Sequence, residues 1–498
     1  MHFDCVLINN SYLENLSVRY LSAHLKSKGY RVVTIHYEGR KNDVFNLLTR
    51  QSLKALAACC REASLVGISL LTTHQLSRSR QIQDFLAGRI KAPIIWGGVP
   101  VICDPEFYLQ YTDYVCLGEG EPVLEALLEG RDPLAVKGLG FRAEDGSLHC
   151  NPLPDLLDVN TGPIPVLDLE DGFFLQDDGE LLPVPEGMEP VHRSYSILSI
   201  RGCPYHCSYC LNSCLKNIFA GTGASIRFVS TSRVIEELEQ AKSDLPDLKR
   251  VIFDDDDFFL RSESDLQQLC DAYTRKINLP IFYIQAHMHT ITEKKVDILL
   301  HSGIRLQYLK IGLQSASVRV NQAIFDRRFE KDRFLEGLRM LSAKGVRVML
   351  DVISANPYET AEDSYASLVF YEQLIRQTRK LSTTALPMKI YDHKLMFYPG
   401  SKLYEQAKHD GLIADDYVEK VLLQRNTLRR MEEDIDHEAF VVALVNRALR
   451  SRSSLHPAAL LLRLLRVKPL YTLVYRGRLV NRIYHRTGLN LAGLFTKG

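Results

Sequence analysis

Arg201-Gly202-Cys203-Pro204-Tyr205-His206-Cys207-Ser208-Tyr209-Cys210 carries three cysteines in the order Cys-x-x-x-Cys-x-x-Cys. The preceding stretch, Ser196-Ile197-Leu198-Ser199-Ile200, is apolar and β-prone, and Gly202 and Pro204 break it. The cysteines therefore sit on a loop leaving a strand end. Soft thiolates suit iron–sulfur centres, and three of them can hold three irons of a cubane, leaving a fourth iron open. A structural zinc site usually needs four protein ligands, and the nearest fourth candidates are His206 and Cys214. The chain has 11 cysteines, an odd number. It has no signal-peptide pattern at Met1-His2-Phe3-Asp4 and no apolar run near membrane-spanning length. A reducing cytoplasm without disulfides is the expectation.

At 498 residues there is room for two or three domains. Hydrophobic content of 46% and charged content of 24% are ordinary for a globular chain. The net charge of +1 hides an asymmetry. From Phe440 onward there is no Asp or Glu, while 11 basic residues run from Arg447 to Lys497, which leaves the rest of the chain at −10. Such a split suggests a separate role for the tail.

Upstream, short apolar runs alternate with helix-like stretches. Strands are expected at Asp4–Asn9, Arg31–Ile35, Ser64–Leu71, Pro93–Trp96 and Tyr114–Leu117. That alternation predicts a doubly wound parallel sheet over residues 1–135, with ligands bound beyond the carboxyl ends of its strands. Gly97-Gly98 and Gly118-Glu119-Gly120-Glu121 lie at those ends, where backbone turns tightly or approaches a ligand. Residues 136–190 are rich in Pro, Gly and Asp and read as a linker, with one hairpin around Asp145-Gly146 and otherwise irregular. Residues 191–415 repeat strand and helix six times, an open (β/α)6 barrel with its chemistry at the strand ends. Asp254-Asp255-Asp256-Asp257, Gln314-Ser315 and Asn356-Pro357-Tyr358-Glu359-Thr360 all fall there. His287 and His289 follow a strand at alternating spacing and could line the cavity or be ordinary hydrogen-bonded histidines. The last barrel strand is expected at Lys394–Tyr398.

The cluster loop resembles that of the radical SAM superfamily, and residues 3–135 resemble the cobalamin-binding domain that precedes one class of these enzymes. The latter likeness rests on Ile68-Ser69, Trp96-Gly97-Gly98, Pro105-Glu106 and Gly118-Glu119-Gly120-Glu121. The resemblance implies a 4Fe-4S cluster on Cys203, Cys207 and Cys210, whose open iron binds S-adenosylmethionine (SAM). Tyr209 would lie near the adenine. Asp254 and Asp255 would meet the SAM amino group or ribose, and Gln314 and Ser315 would stand where the family reads Glu-Ser. Gly97, Gly98, Gly118 and Glu119 would contact cobalamin. Asp256 and Asp257 are read chiefly as a solvent-facing turn. After the first strand the chain reads Asn9-Asn10-Ser11-Tyr12-Leu13, without the lower-ligand histidine of many cobalamin domains. Either cobalamin binds without that ligand or the fold persists without the cofactor.

The implied reaction is reductive cleavage of SAM to a 5′-deoxyadenosyl radical, followed by C-methylation of an unactivated carbon with cobalamin as methyl carrier. Radical cyclisation or rearrangement without methyl transfer, and a non-catalytic cobalamin or cluster sensor, are the alternatives. A small-molecule or lipid substrate and an electron donor such as flavodoxin or ferredoxin would be the partners. The helical basic region, residues 416–498, reads equally as a peripheral membrane contact or as a cap answering the acidic remainder. No recognisable RNA module accompanies it, so nucleic acid is not expected.

Overall fold

The computed structural model describes residues 3–10, 16–37, 47–143, 145–184, 194–381, 388–424, 437–450 and 457–476. Nine strands form the first sheet: β1 (Cys5–Asn9), β2 (Val32–His36), β3 (Leu65–Ser69), β4 (Ile94–Gly97), β5 (Tyr114–Cys116), β6 (Leu139–Arg142), β7 (Leu148–Cys150), β8 (Gly172–Leu175) and β9 (Leu181–Pro183). Their order is β7-β6-β5-β4-β3-β1-β2-β8-β9. The pairs from β5 through to β8 are parallel, and β6, β7 and β9 add antiparallel edges. Every residue of β1, β2 and β3 is buried, because helices cover both faces. Val18 and Leu25 of Leu16–Ser27, with Val123 and Leu124 of Gly120–Leu128, pack one face. Leu53 and Leu56 of Arg50–Cys60, with Ile82 and Leu86 of Leu76–Leu86, pack the other. The strand order reverses between β1 and β3, which opens a crevice at their carboxyl ends.

Residues 136–190 differ from the expected irregular linker. The β6–β7 hairpin forms, with Phe141 opposite His149. In addition, β8 extends the sheet beyond β2, and β9 pairs with β8. The cause is the run Phe173-Phe174-Leu175, apolar enough to cover an open edge despite its Asp-rich flanks. Residues 144 and 185–190 of that stretch lie outside the described residues.

The second sheet contains β10 (Ser194–Ile197), β13 (Arg250–Phe253), β14 (Ile281–Ala286), β15 (Leu306–Gln314), β16 (Val348–Ser354) and β17 (Lys389–Lys394), all parallel and in chain order. A small ribbon, β11 (Ile200–Arg201) with β12 (Arg227–Phe228), follows β10. Ser230, Ser262 and Thr292 accept backbone hydrogen bonds at the starts of three barrel helices. β17 lies earlier than the expected Lys394–Tyr398. Its ladder to β16 runs from Lys389 to Lys394, and the apolar Leu395 and Phe397 instead enter a core shared with the first domain.

The C-terminal helices His437–Arg450, Pro457–Leu465 and Lys468–Arg476 cap the barrel. Leu444, Val445, Leu462 and Tyr471 join the barrel core. Asn446 donates its amide to Ile390 O (2.8 Å) and accepts from Ile390 N–H (2.9 Å), satisfying the free edge of β17. Arg466 pairs with Glu372 (3.1 Å) and Lys468 with Glu362 (2.8 Å), so part of the tail's positive charge answers acidic barrel residues. Among the described residues no helix is long and apolar enough to cross a membrane. The basic stretch Arg478–Lys497 lies outside the described residues. Leu462→Ala should lower stability by about 2–5 kcal/mol, the usual range for emptying a buried leucine site. A urea melt showing an unchanged midpoint would contradict this packing.

Candidate functional site

The cysteine loop is held at both ends and at its centre. Gly202 has φ +97°, and a Cβ there would stand 1.9 Å from Ser225 O, so only glycine fits. Ser208 N–H donates to Phe325 O (2.9 Å), its hydroxyl to Ile324 O (2.6 Å), and its carbonyl accepts from Leu403 N–H (2.9 Å). Cys210 directly precedes the helix Leu211–Ile218, whose positive end favours a nearby anion. Lys216 on that helix donates to Pro204 O and contacts His206 Nε2, each at 2.8 Å. Cys214 lies beside Cys103, whose thiol donates to Leu211 O (3.9 Å). Both candidates for a fourth zinc ligand are thus engaged elsewhere.

The donor set fits a cubane better than a single ion. Among the described residues no three His, Cys, Asp or Glu side chains converge on one ion position, whereas a cubane takes one thiolate per iron. Burial, with Asp256 nearby, pushes Cys203 up to about 12 and Cys210 to about 11. Each is a thiol at neutral pH until a metal takes the proton's place. Arg327 donates Nη1 to Cys207 Sγ (3.5 Å) and Nη2 to Gly312 O (2.8 Å). Sequence reasoning missed this arginine, because a contact spanning 120 residues leaves no local spacing to read. Tyr209 packs edge-on against Phe325, ring centroids 4.9 Å apart, in the apolar seam between the domains. It does not line the main cavity.

The four aspartates after β13 alternate, as an extended chain requires. Asp254 accepts from the Tyr283 hydroxyl (2.7 Å) and lines the cavity described below. Asp255, expected at SAM, is 0% exposed and turned away. It accepts from Ser199 N–H (2.6 Å), Ser199 Oγ (2.6 Å) and Ile200 N–H (2.8 Å), and burial raises it to about 6. It fixes the turn leading into the cysteine loop. Asp256, read as part of a solvent-facing turn, accepts from Asn212 (2.8 Å) and faces the same cavity as Asp254. Asp257, read likewise, is fully buried and accepts from Tyr205 Oη (2.7 Å) and Thr290 Oγ1 (2.7 Å). His287 stacks on Tyr205 (4.2 Å) and on His289 (4.9 Å), so the histidine pair backs the loop rather than lining the main cavity.

Gln314 ends β15 with φ +62°, and a Cβ on Gly312 would come within 2.5 Å of its amide. Ser315 is buried, and its hydroxyl accepts from Ser317 N–H (3.1 Å). Both line a void of about 20 Å³ with Ile353, Glu359, Asp392 and Val441. Ala355, just after β16, has φ +55°, a left-handed conformation that glycine favours.

A cavity of about 680 Å³ opens at the switch point beyond β1 and β3. On the sheet side its wall is mostly apolar, including Leu7, Ile68, Leu71 and Ile102, with Gly97, Gly98 and Gly118 among the backbone surfaces. On the barrel side are Leu198, Arg201, Asn212, Asp254 and Asp256. Gly98 has φ +115°, and a Cβ would stand 1.9 Å from Leu70 O, so the protein backbone itself demands this glycine. Gly97 and Gly118 have ordinary clearance of 3.5 and 3.6 Å. Glu119 also borders the cavity, but its carboxylate accepts from Arg201 (2.9 Å), Arg227 (2.8 Å) and Leu157 N–H (2.7 Å). Burial disfavours its charge, yet the two arginines outweigh burial and hold its pKa below the usual value. Among the described residues, none that lines the cavity is a histidine. Asn9 bonds His36 (2.9 Å), Asn10 bonds Ser79 (2.7 Å), and Ser11 to Asn15 lie outside the described residues. His74 sits edge-on to Tyr398 (5.9 Å), away from the cavity lining. A wide, largely apolar face with small residues suits a large flat ligand such as a corrin.

Residues 197–368 match the radical SAM superfamily, and residues 9–128 match the B12 binding domain. The chain is 26% identical over 328 residues to the uncharacterized methyltransferase PH0819 of Pyrococcus horikoshii, a match covering 64% of each chain. It is 23% identical over 249 residues to the hopanoid C-3 methylase of Methylococcus capsulatus, covering 48% of this chain and 44% of that one. The chain thus spans less than two thirds of either relative. Among solved structures, the fold is similar to the radical SAM methyltransferase TsrM of Kitasatospora setae with cobalamin and a [4Fe-4S] cluster bound. That likeness has a TM-score of 0.62 at 16% identity over 82% of this chain and 75% of TsrM. It is also similar to the cobalamin-dependent SAM radical enzyme OxsB, with a TM-score of 0.59 at 16% identity over 99% of this chain and 74% of that one. The chain thus carries a B12 binding domain followed by a radical SAM domain.

Proposed function

We propose that this protein is a cobalamin-dependent radical SAM methyltransferase acting on an unactivated carbon. One observation carries the reading: a single cavity has the strand ends of the B12 binding domain on one side and Arg201, Asn212, Asp254 and Asp256 of the radical SAM domain on the other. That shared wall would let two cofactors meet one substrate. The matched relatives named as methyltransferases support the choice of reaction. When bound, the cluster and SAM would supply a radical initiator and cobalamin a methyl carrier.

The chain's own residues would place these groups. Cys203, Cys207 and Cys210 would each hold one iron. Asp255 and Asp257 would keep the loop in register through Ser199, Ile200 and Tyr205. Asp254, already accepting from Tyr283, has further lone pairs to offer a SAM amino or hydroxyl group. Gln314 and Ser315 would form the far edge of the SAM site. Gly97, Gly98 and Gly118 would floor the corrin, with Glu119 holding Arg201 at its rim. An external one-electron donor of the flavodoxin or ferredoxin kind would reduce the cluster.

Anaerobically reconstituted protein given cobalamin, SAM and a chemical reductant should form both 5′-deoxyadenosine and S-adenosylhomocysteine. 5′-Deoxyadenosine alone would indicate rearrangement without methyl transfer, and neither product from a fully loaded cluster would indicate a sensor. Cys203→Ala, Cys207→Ala and Cys210→Ala should each abolish the visible cluster absorbance, while Cys214→Ala retains it. Loss on Cys214→Ala would restore a four-ligand site.

Arg327 places a cation and an N–H donor on the Cys207 sulfur, which favours the reduced cluster. Arg327→Met should lower the cluster midpoint potential. A charge-assisted hydrogen bond of about 1.5 kcal/mol corresponds to roughly 60 mV for one electron. Redox titration by EPR reads this directly, and a potential equal to wild type removes the arginine from the cluster's tuning.

A further inference from the structure

The inner face of the barrel carries a polar row that the cofactors do not explain. On β15, Leu309, Ile311 and Leu313 point into the core with the surrounding helices. Lys310, Gly312 and Gln314 therefore lie on the opposite face, around which the sheet curves. Register carries that face across the neighbouring strands, since Gln285 pairs with Lys310, Gly312 with Asp351, and Ile353 with His393. Along it the side chains join. Tyr283 donates to Asp254 (2.7 Å), and Lys310 Nζ stands 5.8 Å from the Tyr283 ring centroid and 3.3 Å from Asp351. His393 Nε2 contacts the other Asp351 oxygen at 3.0 Å. The row spans from the end of β13 to β17 without skipping a strand.

Closed barrels fill this space with branched apolar side chains. Here the row is polar and partly open: the Lys310 side chain is 29% exposed, Asp351 14% and His393 56%. An apolar molecule seated on it would strip water from a charged pair and return no hydrogen bonds, which is unfavourable. A polar molecule would replace that water with bonds of its own. One end of the row, Asp254, also lines the two-cofactor cavity, so a substrate on this face lies beside that chamber.

We infer that the barrel's inner face binds a polar, water-soluble substrate through Lys310, Asp351 and His393, and not an apolar lipid. The inference rests on the proposed radical SAM activity but not on methyl transfer. Its test uses the loaded full-length protein with SAM, reductant, and the aqueous or chloroform-soluble fraction of a source-cell extract. The readout is 5′-deoxyadenosine formed above the level without extract. S-adenosylhomocysteine, measured in the same samples, reports on methyl transfer separately. The aqueous fraction should stimulate turnover. His393→Leu, and the paired change Lys310→Met with Asp351→Leu, should each cut the stimulation at least about tenfold, the loss expected for hydrogen bonds to charged groups. Cluster absorbance confirms that both variants are folded and loaded. Stimulation by the chloroform-soluble fraction, or by neither fraction, overturns the assignment, as does full stimulation of the paired variant.

Discussion

Glu119 is held between Arg201 and Arg227, and that contact fixes where the two domains face each other. Glu119 belongs to the turn after β5 in the B12 binding domain, Arg201 to the strand entering the cysteine loop, and Arg227 to the ribbon beside it. Burying such charges is costly, so their pairing is a weak source of net stability. The adhesion comes instead from the apolar seam, in which Leu395, Phe397 and Leu403 of the barrel pack with Trp96 and Tyr108 of the first domain. The ion contacts add direction. Removing one partner would leave a partly buried charge unmatched, so the alignment resists sliding. Arg201 also lies over the Tyr20 ring at 4.1 Å, which binds the same point to the first helix. The cavity exists because this seam holds two sets of strand carboxyl ends opposite one another.

Within the barrel, the same economy appears in the aspartate run. Two carboxylates are spent on the protein and two face the cavity. Asp255 satisfies two backbone N–H groups and a hydroxyl where β10 gives way to the loop. Asp257 anchors Tyr205, which lies between Cys203 and Cys207. A loop that must carry a cluster cannot supply its own hydrogen bonds from regular structure, so neighbouring strands supply them. Arg261 extends this support. Fully buried, it donates to Ser199 O (2.7 Å) and Val229 O (3.0 Å) and so closes the turn from its other side.

Much of this was legible in the chain. The cysteine spacing, the apolar runs and the glycine-rich turns each reflect local geometry, and local geometry is what residue order encodes. The phase of Asp254 to Asp257 was not legible, since four identical residues offer no contrast to show which side faces inward. The roles of Arg327 and Glu119 depend on partners far along the chain. β8 was hidden because its apolar run sits among aspartates that a surface edge strand tolerates. The tail's basic residues concealed its core side, since a helix presenting Leu462 inward and Arg463 outward has the same composition whether a membrane or a barrel covers it.

The position of the tail bears on how the barrel works. An open six-stranded barrel leaves the outer edge of β17 unpaired, and such an edge invites pairing with other chains. Asn446 answers it with one side chain that mimics a neighbouring peptide group, and the helix His437–Arg450 then covers the adjoining apolar surface. Val441 and Val442 of that helix reach the void beside Gln314 and Ser315. The void holds only about 20 Å³, against about 680 Å³ at the B12 domain side. Space at the barrel's mouth is therefore unequal. The tail closes it beside Gln314 and Ser315, and the larger opening lies toward the sheet. The helix His437–Arg450 is better regarded as a wall of the barrel than as an appendage, and altering its packing should disturb Gln314 and Ser315 before it disturbs the cysteine loop.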